Sequence, residues 1–206
     1  MAAVLALDAL LDARTVWRGP APATPASDVS PTGHTDLDAR LPGGGWPAHA
    51  LVEVLMPADG VGELALVLPT VARLTQAGER VVLIAPPYRV HAPGWAYAGV
   101  ALRQLQVVEA SSKDALWAAE QCLRSAACAA VLCWPRQADD RALRRLQVAT
   151  ESGQCLGFAF RDAKHARNPS PAALRLQLDS QRQVRVLKCR GGLPPAAPIA
   201  LTSSGH

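Results

Sequence analysis

The feature that most constrains the fold is an alternation. Between residues 51 and 160, short apolar runs of strand length take turns with segments of helical period, and most are closed by proline or glycine. Residues 51–55 form a compact strand, and residues 64–76 have helical spacing and stop at Gly78 in the manner of a C′ glycine. Residues 81–85 form the next strand, closed by Pro86-Pro87. A short helix is expected over 95–104 around Trp95 and Leu102, then a strand over 105–108. A helix over 113–126 precedes a strand over 129–134 stopped by Pro135, and a helix over 139–152 ends at Gly153 before a strand over 156–160. Residues 173–178 and 183–188 alternate with period two around Asp179-Ser180-Gln181-Arg182, the pattern of a hairpin. Strand and helix in repeated alternation predict an α/β fold of three layers, with a mostly parallel central sheet and a C-terminal antiparallel hairpin.

The 206-residue length fits one domain, and a chain that is 50% hydrophobic and 18% charged is neither a disordered tail nor a low-complexity scaffold. No run reaches the roughly 18 apolar residues of a membrane span, so no membrane contact is expected. Cys122, Cys128, Cys133, Cys155 and Cys189 lie in or beside apolar segments without a C-x-x-C pair. That argues for reduced thiols in a cytoplasmic protein and against a disulfide framework or a metal site. Residues 1–18 read as a docking segment: Val4, Leu7 and Leu11 share a helical face with Trp17 beyond it, and Asp8 and Asp12 interrupt what would otherwise resemble a secretory signal. Residues 19–31, rich in Pro, Ala, Ser and Thr, read as a linker, 32–192 as the body, and 193–206 as a mobile tail. Charge is uneven. Residues 1–100 carry 6 Lys and Arg against 9 Asp and Glu, and 101–206 carry 15 against 8, so the net +4 conceals a basic second half suited to nucleic acid or an acidic partner.

The segment Thr32-Gly33-x-x-x-Leu37-Asp38-x-x-Leu41-x-Gly43-Gly44-Gly45-Trp46-Pro47, followed by Leu51-Val52-Glu53-Val54, resembles the start of the RecA ATPase core. The resemblance implies a phosphate-binding loop after the strand at 51–55. Such a loop needs glycines that free backbone N–H groups, a lysine for the β/γ-phosphates and a hydroxyl for Mg²⁺. The loop here is Met56-Pro57-Ala58-Asp59-Gly60-Val61-Gly62-Glu63-Leu64. It lacks the lysine and the hydroxyl, and Asp59 and Glu63 add negative charge where polyphosphate would sit. Pro86-Pro87-Tyr88 stands near the expected catalytic carboxylate, and Cys133-Trp134 stands at the end of the strand where the metal-binding Asp would be. No cofactor and no catalysis are therefore expected.

A RecA-like body stripped of nucleotide chemistry resembles two related bacterial families: ImuA, accessory proteins of mutagenic translesion DNA synthesis in the SOS response, and SulA, division inhibitors that cap FtsZ. Ala85-Pro86-Pro87, Gly99 with Leu105, Val131-Leu132-Cys133-Trp134 and Gly157-Phe158 carry the shared pattern. Val16-Trp17-Arg18-Gly19, Ser170-Pro171-Ala172-Ala173-Leu174-Arg175-Leu176 and Val184-x-Val186-Leu187-Lys188-x-Arg190-Gly191-Gly192 favour ImuA. That resemblance implies a non-catalytic docking protein whose partners are an ImuB-type Y-family polymerase homologue and an error-prone DNA polymerase, with RecA and DNA as further candidates and the oligomeric state open. A SulA-like inhibitor binding FtsZ is the alternative. Candidate contacts to DNA or a partner are Arg141, Arg144 and Arg145 on one helix, Arg161, Lys164 and Arg167 in a donor-rich loop, and Lys188 and Arg190 on the hairpin. For Arg141, Arg144 and Arg145 a solvated helix face is the first reading, and a phosphate or acidic-partner contact the alternative.

Overall fold

The computed structural model describes residues 30–201, so the docking candidates Leu7, Leu11 and Trp17 lie outside the described residues. Its elements are α1 (Thr35–Asp38), β1 (Leu51–Met56), α2 (Glu63–Gln76), β2 (Val81–Ile84), α3 (Ala92–Tyr97), β3 (Leu105–Val108), α4 (Ala115–Arg124), β4 (Ala130–Cys133), α5 (Asp140–Gly153), β5 (Leu156–Asp162), β6 (Leu174–Leu178), β7 (Gln183–Cys189) and β8 (Ile199–Ala200). The strands form one sheet in the order β3-β2-β4-β5-β1-β6-β7-β8. Every pairing from β3 across to β6 is parallel, and β6, β7 and β8 pair antiparallel. The fold is the three-layer α/β arrangement expected.

The layers follow from side-chain alternation along buried strands. Val52, Val54 and Met56 join Leu66, Val67 and Val71 of α2 in one core, while Leu51, Val131, Cys133 and Ala159 pack with Ala119 and Leu123 of α4 and Leu143 and Leu146 of α5 in the other. The glycine-rich lead-in docks on α2. Trp46 is fully buried, donates from Nε1 to Thr70 Oγ1 at 2.7 Å and meets Phe158 edge-on at 5.1 Å. Thr70 Oγ1 in turn donates to the Thr32 carbonyl at 3.1 Å. Gly33, at φ +87°, lies so close to α2 that a Cβ would stand 2.3 Å from the Pro69 Cβ, which explains the glycine in the Thr32-Gly33 pair.

Three expectations change. The helix predicted over 95–104 is α3 followed by a separate 3-10 turn, Leu102–Gln104, because Gly99 at φ +86° breaks the run. Residues 193–201, expected within a mobile tail, instead place Ile199 against Val184 as strand β8, with Ile199 buried. Arg161, expected in a loop, belongs to β5, which continues to Asp162.

Candidate functional site

The turn from β1 into α2 is the place that the RecA resemblance gives to a phosphate-binding loop, and helix N-termini and glycine turns present free N–H groups there. Gly62, the residue before α2, has φ +109°, a backbone conformation that an L side chain would strain. Two of the amides that this turn frees, those of Gly60 and Gly62, are already occupied. Glu63, the first residue of α2 and 1% exposed, curls its carboxylate back into the loop. It accepts from Gly60 N at 3.0 and 3.1 Å, from Gly62 N at 3.2 Å and from the Tyr88 hydroxyl at 3.1 Å. A carboxylate thus sits among the amides of the loop, an anion supplied by the chain itself.

Tyr88 lies just beyond β2, in the region where the resemblance would place a catalytic carboxylate. Burial, then the Glu63 charge, pushes its phenol well above the ordinary tyrosine value, so it remains a neutral donor. The ring meets Trp134 edge-on at 5.9 Å, and Trp134 stacks on Phe160 at 4.9 Å. Trp134 is 5% exposed and belongs to the core. Asp59 pairs with Arg136 at 2.5 Å, joining the loop to the segment after β4. Clefts at the carboxyl ends of the strands include one of about 790 Å³ between residues 85–90, 107–116 and 134–137, and one of about 340 Å³ bordered by Pro57, Asp59, Arg136 and Lys164.

A second cluster spans β5, β1 and β6. Glu53, fully buried, accepts from Arg161 Nη1 at 2.5 Å and from Arg175 Nε at 2.6 Å. Arg161 Nη2 also donates to the Ala138 carbonyl at 2.5 Å, and Arg175 donates to the carbonyls of His165, Ala166 and Asn168 at 3.1, 3.3 and 3.0 Å. Arg161, with a side chain 3% exposed, is thereby corrected from a surface contact to an interior ion-pair member.

The remaining cations separate. On α5, Arg144 pairs with Asp140 at 3.0 Å and Arg145 with Glu120, which also binds Arg124 at 2.9 Å, whereas Arg141 is exposed with no ion pair among the described residues. Lys164 pairs with Asp162 at 3.2 Å and Arg190 with Glu151 at 3.7 Å. Arg167 is exposed on the 3-10 turn Ala163–Arg167, and Lys188 is exposed on β7 with Nζ donating to the Ser170 carbonyl at 2.9 Å. Sequence reasoning missed Glu53 and Tyr88. The signal for Glu53 was present, since one charge inside Leu51-Val52-Glu53-Val54-Leu55 has to be paired once the strand is buried. Among the described residues, no group of His, Cys, Asp and Glu could hold a metal ion, and no helix is long and apolar enough to cross a membrane.

No protein-family model matches the chain, and no curated protein matches it. Among solved structures, SulA from Pseudomonas aeruginosa is similar, with a TM-score of 0.47 and 24% identity over 56% of this chain and 98% of that one.

Proposed function

We propose that this chain is a non-catalytic docking protein of the SOS-type DNA-damage response, acting in mutagenic translesion synthesis beside an ImuB-type Y-family polymerase homologue and an error-prone DNA polymerase. The observation that carries the reading is the Glu63 carboxylate seated on the amides of Gly60 and Gly62. A polyphosphate would have to displace a buried anion that already satisfies those donors, with no lysine in the loop to repay the exchange. What the layered body then offers is surface. The resemblance running from Trp17 to Gly192 supplies the partner class, and RecA is a second candidate partner.

Co-purification tests this reading. The intact chain, co-expressed with an ImuB-type protein, is expected to retain it, and removal of residues 1–18 is expected to weaken retention. Failure to retain that protein, together with suppression of FtsZ assembly in a sedimentation assay, would replace this reading with the SulA-like alternative.

A further inference from the structure

The C-terminal hairpin extends the sheet beyond the layered core, and its two faces differ. Leu174, Leu176 and Leu178 of β6 and Val184, Val186 and Cys189 of β7 pack into the core on one side. Alternation sends Arg175, Gln177, Arg185 and Lys188 to the other. Arg185 and Lys188 are three residues apart, an interval that would normally place them on opposite faces. The register explains why they share one: Leu176 pairs with Val186 and Arg175 with Lys188, so β7 carries one extra residue, Leu187, as a bulge that restores the phase. Beneath this face, Arg175 holds the backbone of residues 165–168 through three carbonyls, fixing the 3-10 turn and its Lys164 and Arg167 along the border.

The charges on this face are unbalanced. Arg167 and Arg185 are exposed and have no ion pair among the described residues, and Lys188 donates only to a backbone carbonyl. Partial burial of the amine, and after it the Arg175 and Arg190 cations, pushes Lys188 down. The nearby acids are engaged: Asp162 with Lys164, Glu151 with Arg190, and Asp179 with the amides of Gln181 and Gln183. Among the described residues the exposed aromatics, Tyr97 and Trp117, belong to α3 and α4, so there the face offers cations without stacking rings.

We propose that this open face binds the phosphate backbone of nucleic acid through Arg167, Arg185 and Lys188, flanked by Lys164 and Arg190. Phosphates attract such a group of exposed cations whatever the bases, and without rings to stack on bases the contact is independent of sequence and similar for duplex and single strand. The proposal adds a nucleic-acid partner to the docking reading and does not depend on which protein is captured.

Fluorescence anisotropy of the full chain with labelled duplex and single-stranded oligonucleotides tests it. Binding is expected at about 50 mM salt and should weaken steeply with added salt. The triple variant Arg167→Gln, Arg185→Gln, Lys188→Gln is expected to bind at least about tenfold more weakly, with the duplex salt slope reduced by about 2 to 3. Arg103→Gln with Lys113→Gln, remote in sequence from the hairpin, should leave binding near wild type. Absence of binding at low salt, equal losses in both variants, a strong single-strand preference, or binding only to anionic vesicles or acidic protein would overturn the proposal. Polymerase-homologue capture by the triple variant reads the docking hypothesis separately.

Discussion

Two buried glutamates ten residues apart solve the same problem in opposite ways. Glu53, in the middle of β1, is neutralised by two guanidinium groups from the neighbouring strands β5 and β6. Glu63, at the start of α2, has no cationic partner within hydrogen-bond reach among the described residues and rests on backbone amides and a phenol. The first is a cross-strand tie whose excess positive charge Arg175 spends on fixing the turn that follows β5. The second fixes the glycine turn between β1 and α2. The carboxylate held by arginines ties strands together, and the one held by a glycine turn at a helix N-terminus satisfies amides that would otherwise be free for another anion.

That contrast predicts a ranked series of stability losses. Glu53→Ala leaves two guanidiniums buried without their counter-charge and is expected to cost about 3–5 kcal/mol in urea unfolding. Glu63→Ala leaves amides and the Tyr88 hydroxyl without an acceptor, for a smaller loss of about 1–3 kcal/mol, and Glu63→Gln should recover part of it. Equal losses at Glu53 and Glu63 would break the comparison. Alkali tests the buried thiols and the Tyr88 phenol. Burial pushes the Cys133 and Cys155 thiols up to about 12, from 9.0, and Tyr88 rises as well. A raised folded-state value means that the neutral form is the one the fold favours. The contribution is complete below pH 9.0 and is lost as pH climbs toward 12, so the urea midpoint should fall over that window and hold steady from pH 7 to 8. Arg144→Ala, breaking an exposed pair with Asp140, should change stability by no more than about 0.5 kcal/mol.

The layered order was legible because each strand from β1 to β5 is an apolar run and each long helix has its own period, punctuated by residues such as Pro135 and Gly153. Long-range partnership was less accessible. Arg161 stands beside Asp162 and Lys164 and reads as one more cation of a basic loop; only the pairing of β5 with β1 brings it to Glu53, 108 residues away. The Leu187 bulge is equally hidden, since strict alternation through 183–188 puts Arg185 and Lys188 on opposite faces. At the turn after β1 the sequence shows no lysine and two acids, but whether Glu63 points outward to solvent or inward onto the loop amides depends on the positive φ of Gly62 and on Tyr88 arriving from the next strand.

Calorimetric titration of the intact chain with ATP and ADP in the presence of Mg²⁺ tests the central claim most directly. With Glu63 occupying the loop, no binding is expected up to millimolar nucleotide. Micromolar binding that disappears in Glu63→Ala would show that the carboxylate serves a nucleotide instead of replacing its phosphate, and would contradict the account.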